Sequence, residues 1–472
     1  MRASRAAVMG RFPGRERASA REERGGRLVR AGVGSSLAAL AMALAASTPA
    51  TADDSAPNPP PQDFAAHGQV TVIDQGNLAF ESPYAGTNSL PAKAEGRETA
   101  DVSLSIGLRA WSGAEFWFEP EFDQGFGLHD TTGAAGFPNG EGAKVGRDIF
   151  YLRVPRLFLR QTIDLSGDVS KVDPDFNQLG GAQTANRLVL TVGKFAVTDV
   201  FDTNTYAHDP KHDFLNWAAI DAGSFDYAAD AWGYTIGASA EWYQGPWTLR
   251  AGVFDLSKIP NAEKLDPGFG QFQLIGEVER RYSISGQDGS VKVTGFLTRG
   301  RMARFADAIA LGQALGQAPD VALVRQYRSR PGLDVNLQQK LAEGLGIFAR
   351  VGWAQGDVEP YEFADIDRTA SGGVSLSGKR WGRPDDTFAI AGIVNDISTI
   401  HQAYLAAGGL GILVGDGRLP HPGTENILET YYAIALTHFL QLSFDYQFID
   451  HPAYNTDRGP VSVFAARVHA QF

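Results

Sequence analysis

PVSVFAARVHAQF, residues 460–472, ends the chain, and its residues alternate in character. Phe464, Ala466, Val468, Ala470 and Phe472 are apolar, and between them stand Arg467, His469 and Gln471. A period of two puts the first set on one face of a β-strand and the second on the other. One face suits hydrocarbon and the other suits water.

The same alternation recurs along the chain. Val102, Leu104, Ile106, Leu108 and Ala110 alternate with Ser103, Ser105, Gly107 and Arg109. Tyr234, Ile236, Ala238, Ala240 and Trp242 alternate with Thr235, Gly237, Ser239 and Glu241. Leu440, Leu442, Phe444, Tyr446 and Phe448 oppose Gln441, Ser443, Asp445 and Gln447. Alternation alone does not separate a soluble sandwich from a membrane barrel, whose apolar face points outward. A closing strand with a bare aromatic carboxy-terminus looks like the last strand of an outer-membrane barrel. The fold class expected is all-β: a closed antiparallel transmembrane barrel of about 16 strands, a size that leaves an aqueous lumen. FADAIALGQALGQ (305–317) reads as a short helix within a loop.

The amino-terminus reads as an export signal. Residues 1–30 hold nine Arg against three Glu, and a short Ala-rich apolar run leads to the A-x-A site Ala50-Thr51-Ala52. Cleavage is expected near Ala52, giving a signal peptide at 1–52, a flexible proline-rich lead-in at 53–63 and a barrel at 64–472. The leader carries a net +6, so its removal takes the formal charge from −12 to −18. That balance argues against nucleic-acid binding, which needs a basic footprint. Cysteine is absent, which removes thiolate metal sites and Cys nucleophiles. No mature stretch reaches the 18 or so apolar residues of a spanning helix. A chain that spans a membrane without one must close its strands into a barrel.

Several longer blocks carry a resemblance. HGQVTV (67–72), SPYAGTNSL (82–90), GFPNGE (136–141), GKFAVTDVFDTNTYAHDPKHDFLNW (193–217), GDVEPYEF (356–363), WGRPDD (381–386) and GDGRLPHPGTENILETYY (415–432) resemble the carbohydrate-selective porin family, OprB. The resemblance runs to Phe472. It implies one 16-stranded outer-membrane barrel of a Gram-negative bacterium that passes sugars such as glucose by diffusion, without a cofactor. Some relatives carry a further amino-terminal envelope-anchoring region; the short lead-in here implies none.

A sugar path needs donors and acceptors at a constriction, aromatic faces for the ring, and binding weak enough for release. In YLRVPRLFLR, Leu157 and Leu159 face lipid, so Arg156, Phe158 and Arg160 face the lumen, while Arg153 reads as a solvated loop end. Arg109, Arg250 and Arg350 fall at lumen-facing positions on other strands; for any one of them alone, an ordinary wall role is the better reading. Glu119 lies in an acidic run with Glu115, Glu121 and Trp117. The segment from Asp199 to Asp230, with Asp202, Asn204 and Trp217, is long enough to be functional. It is either a loop folded into the lumen or a set of Asp and Asn turn caps.

Other chemistry fits poorly. His208 and His212 have helical metal-pair spacing, but Pro210 between them breaks a helix. GGLGILVGDG (408–417) carries Val414 where a dinucleotide fingerprint needs its third Gly, and no G-x-S-x-G elbow occurs in the mature chain. The remaining alternatives are a general small-solute porin and an outer-membrane hydrolase. Expected partners are small carbohydrates, outer-membrane lipid, the barrel-assembly machinery acting on the Phe472 strand, and further copies in a homotrimer.

Overall fold

The computed structural model describes residues 61–142 and 146–472. The expected leader at 1–52 and most of the lead-in lie outside the described residues. Sixteen strands are present among those described: β1 Phe64–Asn77, β2 Glu95–Trp111, β3 Ala114–Gly125, β4 Arg147–Val172, β5 Gly181–Phe195, β6 Thr235–Gln244, β7 Trp247–Asp255 and β8 Phe272–Ile284. The second half holds β9 Gln287–Met302, β10 Gln326–Ala342, β11 Leu345–Ala354, β12 Arg368–Ser377, β13 Thr387–Asp396, β14 Glu425–Ala435, β15 Leu440–Asp450 and β16 Val461–Gln471. Each pairs antiparallel with its neighbours in sequence, and β1 pairs with β16, so the sheet closes into a barrel. Closure leaves no open edge, as a bilayer demands.

The seam is made by the strand quoted first. Gln69 to Asn77 pair with Gln471 to Val463. Phe472 extends the seam by exchanging backbone hydrogen bonds with Gly68, at 2.8 and 2.9 Å. A Cβ on Gly68 would sit 2.7 Å from the Phe472 ring, so glycine there lets the ring lie across the seam.

The two ends differ. At one end, Ser112-Gly113, Gly245-Pro246, Ser285-Gly286 and Glu343-Gly344 make two-residue turns, each with glycine at positive φ. At the other end the connections are long. They include α1 (Trp217–Ile220), α2 (Phe305–Leu315, the helix expected within 305–317) and α3 (Thr399–Ala406). Short turns face the periplasm in such barrels.

The outward rows are apolar and exposed: Val102, Leu104, Leu108, Phe116, Phe118, Leu157 and Phe464 among them. Trp111, Trp242, Trp247 and Phe472 add exposed aromatics at the short-turn end. The inward rows are not uniformly wet. Val461, Val463, Tyr431 and Phe348 are buried in one cluster with Phe214, Trp217, Phe225 and Phe363, which come from loops folded into the lumen. Arg467 and His469 do not line water as the alternation implies; both are nearly inaccessible. Arg467 donates to the backbone carbonyls of Pro210, His212 and Asp213, holding the 196–234 loop.

Candidate permeation path

The strand β4 supplies the path's cations. Arg156 pairs with Glu119 and Arg153 with Glu121, so three residues of β4 span what two cover on β3. This bulge at Val154-Pro155 changes the phase of the alternation and brings Arg153 inward with Arg156, Phe158 and Arg160. The loop-end reading of Arg153 is thereby corrected: it sits within the strand and pairs with both Glu121 and Asp123.

Each guanidinium has a carboxylate partner. Arg156 grips Asp199 with two bonds, Nε at 2.8 Å and Nη2 at 2.7 Å, and donates to Glu119 from Nη1 at 2.9 Å. Arg160 lies 3.6 Å from Glu115. Forked guanidinium–carboxylate pairs are strong and fixed in direction. Tyr234 stands between two of the cations, with its ring 5.0 Å from Arg153 and 5.1 Å from Arg156. Phe158 lies under Arg160 at 5.0 Å, and Trp232 donates to the Tyr151 hydroxyl at 2.9 Å. Tyr234 belongs to the apolar outward set by alternation alone. It turns inward because β6 begins only at Thr235, after Gly233 at φ +96°.

These groups surround a cavity of about 710 Å³. Its wall includes Arg153, Arg156, Arg160, Asp199, Trp217 and Tyr234. The 196–234 loop fills the opposite sector of the lumen. Asp202 pairs with Arg350 at 3.2 Å, Asn204 donates to Asn336 at 2.7 Å, and Glu429 accepts from the backbone of Leu215 at 2.5 Å. Two more loops join it. Glu425 accepts from the backbone of Ala135 and Gly136, and Asp226 accepts from the backbone of Tyr361 and Glu362. Phe137 stacks on Trp217 with centroids 5.3 Å apart. Of the two readings of the Asp199–Asp230 segment, the geometry is that of a lumen loop.

Charge inside the loop is also matched. Burial pulls the Lys211 ammonium down, but Asp101 and Glu141 beside it hold it well above its ordinary value. Burial pushes the Asp199 carboxyl up, and the Arg156 guanidinium outweighs it, leaving the group below its ordinary 3.8.

The sequence-derived candidates therefore divide. Arg156, Arg160, Asp199 and Trp217 meet at the cavity, and Glu119 stands directly behind Arg156. Asp202, Asn204 and Arg350 do not; they are buried staples between the loop and the wall. Arg250 is away from the cavity, enclosed by Glu241, Glu277 and Glu279. Arg109 donates to the carbonyls of Gln62 and Gly180 below the cavity. Sequence reasoning missed Lys211, although it is the only Lys or Arg between Asp199 and Asp230. It also missed the Asp175–Gln178 turn, which forms part of the cavity lining.

A family model for the carbohydrate-selective porin family, OprB, matches residues 87–472. The chain belongs to this family. Among solved structures, Pseudomonas putida OprB determined at high pH matches with a TM-score of 0.64 at 15% identity, covering 87% of this chain and 94% of that one. The outer-membrane channel DcaP of Acinetobacter baumannii matches with a TM-score of 0.47 at 10% identity, covering 90% of this chain and 100% of that one. Comparison with curated protein sequences gives no match. The OprB assignment places the chain in the outer membrane as a transport channel for carbohydrates and not as an enzyme.

Proposed function

We propose that this OprB-family channel passes small neutral sugars such as glucose by passive diffusion, through the cavity beside β4. The observation that carries this reading is the pairing of donors and acceptors along the Arg153–Arg156–Arg160 ladder. Every guanidinium is matched by a carboxylate, and aromatic rings lie alongside. Three guanidinium groups meet five carboxylates, so an uncharged polyhydroxyl solute finds both donors and acceptors while the excess of carboxylate disfavours anions, and the C–H face of its ring can stack on Tyr234. An anion would have to displace Asp199 or Glu119 from Arg156. Arg156, Arg160, Glu119, Asp199 and Trp217 are the residues assigned to the path. Cleavage near Ala52, lipid around the apolar outer face and recognition of the Phe472 strand during assembly belong to the same reading.

Liposome swelling with purified protein tests it, comparing glucose, a larger oligosaccharide and gluconate. Glucose is expected to enter fastest. Entry no faster than into empty liposomes would sink the reading. Equal rates for glucose and gluconate would leave a pore without sugar preference.

A further inference from the structure

The longest strand does not stay in the wall. β4 pairs with β3 only as far as Gln161, and β5 pairs with β6 only from Arg187 onward. Between these limits the two strands pair with each other alone, out to Val172 and Gly181, as a ribbon beyond the short-turn end. A ribbon without wall neighbours should hang free. Instead its tip returns to the lumen. Asp175 and Gln178 close a tight turn on Phe176 and Asn177, with Asn177 at φ +60°. The ladder breaks register twice, between Asp164 and Val169, and Gly167 there sits at φ +93°. Such bulges bend a ribbon and give it a place to flex.

The tip is held by few contacts, and two of them use groups of the permeation path. Arg160 donates to the Asn177 carbonyl at 2.8 Å. The Asn177 side-chain amide donates to Glu119 at 2.8 Å. Ser105 donates to the Asn177 side-chain oxygen at 2.8 Å, and Gln471 reaches Asp175 at 3.4 Å. Below the tip, Gly180 exchanges hydrogen bonds with Gln62. These partners lie on β16, β1's lead-in, β2, β3 and β4, the sector that the 196–234 loop leaves open. Asn177 thus presents an acceptor to Arg160 and a donor to Glu119, as a sugar hydroxyl does.

We propose that the β4–β5 ribbon is a periplasm-side gate, and that Asn177 is an internal stand-in for the solute, displaced when a sugar reaches Arg160 and Glu119. The tip closes the exit of the cavity, and passage requires it to swing out about the Asp164–Val169 bulges. A sugar binds the open arrangement better because it takes over the two bonds that Asn177 gives up, and only such differential binding shifts the equilibrium. The competition rests on the sugar reading above; the closure itself does not.

The absence of native cysteine allows a direct test. In Asp175→Cys/Gln471→Cys, a short bismaleimide ties the tip across the exit. In a second variant, residues 165–186 are replaced by Asn-Gly, joining the paired Asp164 and Arg187 by a two-residue turn and leaving the wall ladder intact. Folding is checked by heat-modifiable mobility, and conductance in KCl is read in planar bilayers. The shortened channel should conduct severalfold more than the cross-linked one. If the shortened channel does not fold, the comparison is between cross-linked and untreated Cys channels, with the untreated expected to conduct more. Equal conductance in the comparison made overturns the gate. Because KCl conductance needs no sugar, a gated channel that excludes glucose would reject the sugar reading alone.

Discussion

Replacing Arg156 by Gln should make the path more cation-preferring. In the native protein, Arg156 is shared by two carboxylates, Asp199 through two bonds and Glu119 through a third. Arg156→Gln removes one positive charge and leaves both carboxylates, so the path gains a net −1. At a passing distance of 4 Å, one unit charge is worth about 1 kcal/mol in water-like surroundings and about 4 kcal/mol at the effective dielectric near a protein surface. The cavity is open to solvent, so the lower figure applies, and about 1 kcal/mol corresponds to a change of roughly fivefold. The lost charge favours K⁺ and disfavours Cl⁻ by that amount each, so the permeability ratio of K⁺ to Cl⁻, read as a reversal potential across a KCl gradient, should rise by about 2 kcal/mol, roughly thirtyfold. The shift should shrink between 0.1 M and 1 M salt, as the screening length falls from about 10 Å to about 3 Å. Adding Asp199→Asn should return the ratio toward the native value, because the second change removes the uncovered charge. Glucose entry should fall in the single variant, which loses the guanidinium bridging Glu119 and Asp199. An unchanged ion ratio together with unchanged glucose entry would refute the placement of Arg156 in the path.

Three other outcomes follow from the geometry. His208 lies 3.7 Å from Asp221; burial lowers its pKa, the Asp221 carboxylate raises it, and the net shift is upward from 6.5. Its stabilisation is therefore complete below pH 6.5 and lost as pH rises through the higher folded value, so the thermal-stability gap between native protein and His208→Gln should close at alkaline pH; a pH-independent gap counts against this pair. Asp226→Ala leaves the buried Arg330 with Asp367 as its remaining carboxylate and frees the backbone donors of Tyr361 and Glu362, each lost buried bond costing about 1–3 kcal/mol, so limited proteolysis should cut the 196–234 and 355–367 loops in a barrel that is otherwise folded. Gly68→Ala should destabilise the seam by about 1 kcal/mol by displacing the Phe472 ring, and the penalty in denaturant titration should vanish in a Phe472→Ala background.

The barrel was legible because a strand's two faces are written in alternate residues. The outward rows from Val102 to Phe464 follow that rule with little interruption, and the glycines of the short turns mark where strands reverse. The site was legible only in part. Arg156 and Arg160 could be placed from the lipid preference of Leu157 and Leu159. Arg153 could not, because the bulge at Val154-Pro155 shifts the period by one residue. Tyr234 failed for a related reason: alternation does not say where a strand begins. Arg350 and Arg156 look equivalent along their strands, yet one is sealed under Asp202 and the other faces the cavity.

By itself, then, the sequence determined a closed β-barrel with an apolar exterior, sealed at Phe472, because side-chain alternation and strand pairing are local properties. Which inward residues face solute was decided only by tertiary structure. The lumen is shared by loops distant in sequence, and each buried carboxylate or guanidinium is committed to whichever loop or strand comes within hydrogen-bond reach. The bent ribbon shows the same limit: side-chain alternation says nothing of where residues 162–186 end up, and only the contacts of Asn177 with Arg160 and Glu119 place their tip inside the path.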